Sequence, residues 1–181
     1  SSAGGTEVIN TILSHLDKNT APIAIVQHMP EIFTKSYAER LDRNSELEVC
    51  EAASGDILSY GKVYIAPGNM HLLVTKKGTN LYTQLNDGEK VNRHKPSVDA
   101  MFDSALNLSG IKIMAIILSG MGSDGARAMM RLKEKGAITI AQSEESSIIY
   151  GMPKEAYTSG ATDLSLSIEE IIEHIKEFSN M

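Results

Sequence analysis

Three residue types that together can open an ester or amide carbonyl stand at widely separated points of this sequence. Ser2 lies in Ser1-Ser2-Ala3-Gly4-Gly5, His28 closes the apolar run Ile23-Ala24-Ile25-Val26-Gln27, and Asp124 ends Leu118-Ser119-Gly120-Met121-Gly122-Ser123. A serine is a weak nucleophile until a base takes its proton. A histidine is a directed base only when a third group holds its ring. All three residues lie where a buried parallel strand is expected to hand over to a helix, and ligands of open α/β sheets bind at such strand ends.

Each residue also has a plainer reading. Ser2-Ala3-Gly4-Gly5 could cradle a phosphate at a helix N-terminus, carry a serine nucleophile beside an oxyanion-stabilising helix end, or be a Gly-rich turn with an idle serine. The full Gly-x-Gly-x-x-Gly fingerprint and the Walker lysine are both missing. His28 could be a satisfied structural histidine. Asp124, just before a helical pattern, could be an N-cap, a role that does not exclude catalysis. Gly120-Met121-Gly122 is flexible enough to present backbone N–H groups. Asn92-Arg93-His94-Lys95-Pro96-Ser97 concentrates polar and basic groups before a helix. Arg93, His94 and Lys95 could meet an acidic substrate surface or form a solvated loop, and Ser97 could simply cap the helix.

The elements that must position these residues follow from apolar spacing. Val8, Ile9, Ile12, Leu13 and Leu16 predict a helix after Gly5. Ile23 to Val26 predict a buried strand. A second helix opens near Pro30, with Ile32, Phe33, Tyr37 and Leu41 expected on one face. Leu47 to Ala52 and Val63 to Ala66 predict strands, and Leu72 to Val74 and Leu81 to Leu85 flank a hairpin signal. Val98, Met101, Phe102, Ala105 and Leu106 predict a helix, and Ile111 to Leu118 a central strand. A helix from Asp124 stops at Gly136, Ala137 to Ala141 form a strand, and Ser167 with Glu170 signals a capping box before a last helix through Phe178. The pattern predicts an α/β fold: a doubly wound, mostly parallel sheet with flanking helices and an antiparallel hairpin excursion.

The totals narrow the function. The 181 residues suit one domain with its own core. A net charge of −6 without any Lys/Arg-rich run argues against nucleic acid as a partner. Cys50 is the only cysteine, which excludes an intrachain disulfide and a cysteine-based zinc site. Asp87, Asp99 and Asp103 are too scattered to suggest a metal site. A reducing, cytoplasmic setting fits, and no apolar run reaches the roughly 20 residues of a membrane span. The chain opens directly on a Gly-rich loop with no strand before it, so the expectation is that it begins inside a longer protein.

Together these residues resemble the catalytic domain of the chemotaxis receptor methylesterase family (protein-glutamate methylesterase, the CheB type) over nearly the whole chain. The resemblance runs through Ser2-Ala3-Gly4-Gly5-Thr6-Glu7, Gln27-His28-Met29-Pro30, Phe33-Thr34, Tyr64-Ile65-Ala66-Pro67-Gly68, Val91-Asn92-Arg93-His94-Lys95-Pro96-Ser97-Val98-Asp99, Gly120-Met121-Gly122-Ser123-Asp124-Gly125 and Gly151-Met152-Pro153. No one motif is decisive; their joint order and spacing are specific. The resemblance implies Ser2 as nucleophile, His28 as general base, Asp124 as the group orienting it, and the Met121 backbone N–H as an oxyanion-hole donor. It implies hydrolysis of glutamate γ-methyl esters on methyl-accepting chemotaxis receptors with release of methanol, and in some members deamidation of receptor glutamines. No cofactor or metal is implied. The chain order Ser, His, Asp differs from the Ser, Asp, His order of α/β-hydrolases. Residues 1–181 correspond to the catalytic domain. Family members typically add a receiver domain, phosphorylated by a histidine kinase, which this sequence does not contain. A phosphate-binding transferase and a non-catalytic receptor-binding module are the competing readings. The missing phosphate motifs count against the first, and the intact Ser2, His28 and Asp124 against the second.

Overall fold

The computed structural model describes residues 1–181. The element order is α1 (Gly5–Ser14), β1 (Ile23–Ile25), α2 (Glu31–Arg43), β2 (Glu48–Glu51), β3 (Lys62–Ile65), β4 (His71–Lys77), β5 (Asn80–Asn86), α3 (Val98–Ala105), β6 (Met114–Ile117), α4 (Ala126–Glu134), β7 (Ile138–Gln142), α5 (Met152–Thr158), β8 (Leu164–Leu166) and α6 (Ile168–Ser179). Strands β2, β3 and β1 pair in parallel in that spatial order, as do β6, β7 and β8, while β4 and β5 form the antiparallel hairpin. The α/β architecture expected from the spacing is present.

The short strands are apolar on both faces because helices cover both. Successive side chains of a strand point to opposite sides. Val63 and Ile65 accordingly pack with the apolar stripes of α1, α2 and α6, and Tyr64 and Ala66 with those of α3, α4 and α5. Each such aliphatic side chain contributes about 1.5–3 kcal/mol by leaving water. Truncating the buried Leu41 to Ala would cost about 2–5 kcal/mol, since its neighbours cannot close the gap fully. The capping box before α6 forms as expected, with Ser167 and Glu170 each bonding the other's backbone N–H.

Ser1 and Ser2 stand between the two half-sheets. Ser1 N donates to Val26 O at 2.9 Å, His28 N to Ser1 O at 2.9 Å and Ser2 N to Ser119 O at 3.0 Å. Ser1 is therefore level with Gln27, and Ser2 with His28, at the carboxyl ends of β1 and β6. An apolar cleft lined by Ile23, Ile25, Met114, Ile116 and Phe102 lies between the half-sheets.

Three local expectations change. Ile32 and Phe33 are 80% and 50% exposed, and α2 buries Thr34, Tyr37, Ala38 and Leu41 instead. The two exposed residues occupy the first turn, at the carboxyl edge, where the sheet they would pack against has ended. Of the apolar run 111–118, only Met114–Ile117 pairs as strand, because β7 offers matching residues from Ile138 to Ala141 alone. Helix α5 and strand β8 carried no periodic signal. They span seven and three residues, too short for periodicity to register.

Candidate active site

Ser2 is held by its backbone. Its N–H bonds Ser119 O, and its carbonyl accepts from Gly5 N at 2.9 Å and from the buried Gln27 Nε2 at 3.0 Å. The chain then turns through Gly4, whose φ of +79° opens α1. A side chain at Gly4 would place its Cβ 2.8 Å from Ile148 Cβ and Ser119 Oγ. Gly120 meets the Ser2 loop directly: a Cβ there would lie 2.7 Å from Ser2 Cβ and 2.9 Å from Ser2 N. Glycine at 120 is thus what lets the loop after β6 pass against Ser2.

His28 and Asp124, 96 residues apart, meet at 2.7 Å between Nε2 and Oδ2. Asp124 is buried. Its Oδ1 accepts from Ser97 Oγ at 2.8 Å, Asn92 Nδ2 at 2.9 Å and Asp99 N at 3.1 Å, and its Oδ2 from Val98 N at 2.7 Å as well. Burial alone would raise the carboxyl pKa. The hydrogen bonds from His28, Asn92, Val98 and Asp99 outweigh it and hold the group well below the usual carboxylate range. The N-cap reading of Asp124 is corrected in an instructive way. The cap of α4 is Gly125, and Asp124 instead bonds the first two N–H groups of α3. A carboxylate at a helix N-terminus is favoured by the aligned peptide dipoles, so one side chain both caps the start of α3 and holds the His28 ring. Ser97 is the N-cap of α3, as its sequence position suggested.

With Nε2 bonded to the Asp124 carboxylate, Nδ1 is the ring nitrogen that remains. That atom is buried and has no hydrogen-bond partner. A buried polar atom left open is rare and marks a strained or functional position. The expected Ser2–His28 hydrogen bond is therefore not formed here. Catalytic hydrogen bonds of unliganded sites commonly tighten only when substrate arrives. Met121, 68% exposed, presents a backbone N–H that no carbonyl or side chain accepts. It follows Gly120 and so lies beside Ser2.

The basic segment divides into residues with different partners. Val91 and His94 exchange backbone hydrogen bonds of 3.0 and 2.9 Å around Asn92 and Arg93, whose φ values are +54° and +67°. This tight turn presses the His94 ring flat on His28, with centroids 3.7 Å apart and planes within 4°. Burial, then repulsion from His28, lowers the pKa of His94. Lys95 pairs with Asp87 at 2.5 Å. Arg93 is exposed, and no acceptor holds its guanidinium. Asn92, Asp99 and Gln27 were not singled out by sequence reasoning. Asn92 bridges Asp99 and Asp124, while Asp99 accepts from Ala128 N at 2.9 Å and so ties α3 to α4. The signal for Asp99 was a carboxylate on the apolar side of a helix, between Val98 and Met101.

Comparison with known proteins gives the family. A family model described as CheB methylesterase matches residues 1–175. A protein-glutamate methylesterase/protein-glutamine glutaminase of Rhodospirillum rubrum is 45% identical over 99% of this chain and 49% of its own length. A protein of the same name from Nitrosomonas europaea is 46% identical over 96% of this chain and 49% of its own. The chain spans about half the length of these curated relatives. The crystal structure of the Thermotoga maritima CheB methylesterase catalytic domain superposes with a TM-score of 0.93 at 39% identity, covering 98% of this chain and 94% of that one. The sequence motifs, the sheet that carries them and these likenesses converge: this chain belongs to the CheB methylesterase family.

Proposed function

We propose that residues 1–181 are the catalytic domain of a serine hydrolase that demethylates glutamate γ-methyl esters on methyl-accepting chemotaxis receptors, releasing methanol. The observation that carries the reading is the 2.7 Å His28–Asp124 contact, with His28 Nδ1 unpartnered and the backbone of His28 level with that of Ser2. His28 Nδ1 takes the Ser2 hydroxyl proton as Oγ attacks the ester carbonyl. Asp124 stabilises the imidazolium that results, and the free Met121 N–H faces the developing oxyanion. The tetrahedral intermediate collapses as His28 returns the proton to the departing methoxide. Water then opens the acyl-serine by the same steps and restores Ser2. A glutamine carbonyl enters the same path with ammonia as leaving group, so deamidation belongs to this reading. The Arg93, His94 and Lys95 segment borders the site, and docking of the protein substrate falls to it. A cytoplasmic setting follows from such a substrate, and no helix is long and apolar enough to cross a membrane. Where a receiver domain accompanies this unit, phosphorylation by a histidine kinase is the expected control.

The test is covalent labelling followed by turnover. A fluorophosphonate should modify Ser2 alone, located by peptide mass, and His28→Ala should abolish the adduct. Methyl-labelled receptor should release methanol. Labelling elsewhere with Ser2 untouched would overturn the nucleophile assignment.

A further inference from the structure

Arg93 occupies a backbone position that disfavours it. Asn92 and Arg93 are the two central residues of the Val91–His94 turn, both with positive φ. This is the type I′ pattern, in which Asn tolerates the first position and Gly suits the second. Asn at 92 is explained locally, since its side chain bonds Asp124 and Asp99. Arg at 93 is not. Its Cβ is crowded in the left-handed region, and neither a carboxylate nor a carbonyl compensates its charge. Glycine at 93 would form the same turn, and would deliver Asn92 and His94 equally well, without that cost. Backbone strain that the fold gains nothing from is retained where function uses it.

We propose that Arg93 is a specificity-determining residue that binds a carboxylate of the protein substrate close to the ester being cleaved. The inference rests on the esterase reading above. The turn fixes its place: the next residue, His94, lies on His28, so Arg93 stands at the rim of the reacting centre. The neighbouring side chains leave it the task, because Lys95 is paired with Asp87 and the His94 ring is stacked on His28. The chemistry of the partner follows from the reaction. Each ester hydrolysed becomes a glutamate carboxylate, so a protein bearing more than one such site grows anionic around the esters that remain. A chain of net charge −6 repels that surface unless a local cation meets it. The planar guanidinium accepts a carboxylate through two parallel N–H bonds, which a lysine cannot do.

The experiment uses two helical peptides, each carrying one glutamate methyl ester, flanked at the positions one turn away by glutamate in one and glutamine in the other. Wild type should prefer the acidic peptide by about fivefold in kcat/KM, an effect of the size of a favourable exposed ion pair. That preference should shrink with added salt. Arg93→Gly should abolish the preference while raising the melting temperature, because the left-handed residue no longer carries a Cβ. Arg93→Lys should retain part of it. A wild type that treats the peptides alike, or an Arg93→Gly variant that keeps the preference or loses equally on both, would overturn the proposal and leave the esterase standing. If wild type hydrolysed neither peptide, the esterase reading would fall and this inference with it.

Discussion

The two nitrogens of His28 face opposite kinds of surroundings. On the Nε2 side, Asp124 is buried and receives five hydrogen bonds, from His28, Asn92, Ser97, Val98 and Asp99. On the Nδ1 side there is no partner at all, and the nearby groups, Ser2 and the loop at Met121, are partly or largely open. The difference teaches how the work is divided. The orientation of the His28 ring is built into the scaffold, where two elements, the β6–α4 loop and the start of α3, over-determine it. In the proposed esterase the contact between His28 and Ser2 would be completed only when substrate arrives. Preorganised charge costs nothing at the moment of reaction.

If that division holds, substitutions on the two sides should differ in kind as well as size. Ser2→Ala and His28→Ala are expected to lower kcat by at least about 10⁴-fold each, and the double variant scarcely further, because nucleophile and base act as one unit. Methanol release from labelled receptor measures this, and near-normal turnover by Ser2→Ala would exclude a covalent path. Asp124→Asn should retain about ten- to a hundredfold more activity than either. Asp124→Ala should also lower the stability of the fold by about 1–3 kcal/mol, since it leaves the first N–H groups of α3 unpaired, whereas Ser2→Ala should leave the denaturation midpoint where it is. Equal stability of the two variants would erase the comparison drawn here.

The finer members sharpen it. Asn92→Ala removes one of the five donors to Asp124 and should cost about tenfold in kcat with little change in KM, in keeping with a lost hydrogen bond to a charged group. His94→Asn should cost less, about a few-fold, by loosening the plane of the His28 ring. Its clearer readout is pH. The pKa of His94 is lowered from 6.5 in the fold by burial, His28 and Lys90, against the opposing pull of Asp124. Below 6.5 the unfolded chain therefore binds the extra proton first, and stability declines as pH falls through the window between 6.5 and the lower folded value. His94→Asn should flatten that part of the stability curve, measured by denaturant titration from pH 7 to 5. An unaltered slope would mean that another group carries it.

How much of this was legible beforehand depends on the range of the interaction. His28 and Asp124 were visible because each follows an apolar run, and a parallel sheet carries every such run to the same edge, while Ser2 was marked by the Gly-rich turn that leads into a helix. Helices α1, α3 and α4 and the hairpin were visible because burial imposes a period on their residues. Ile32 and Phe33 were misplaced because period alone does not say where the surface beneath a helix ends. Asn92 was missed because nothing local marks a side chain whose partner Asp124 lies 32 residues away, whereas Asp99 did leave a local mark, a carboxylate on the apolar side of a helix.

By itself, then, the sequence determined the α/β class, and it pointed to the strand ends and to Ser2, His28 and Asp124 as the candidate site, since these follow from hydrophobic period and from what each side chain can do. Tertiary structure alone decided which carboxylate oxygen each donor meets, that Asp124 caps α3 rather than its own helix, that His94 lies on His28, and that Arg93 is left free at the rim. Those outcomes depend on how separate segments pack to within fractions of an ångström, and hydrogen bonds of 2.7 to 3.1 Å carry no imprint on the local order of residues.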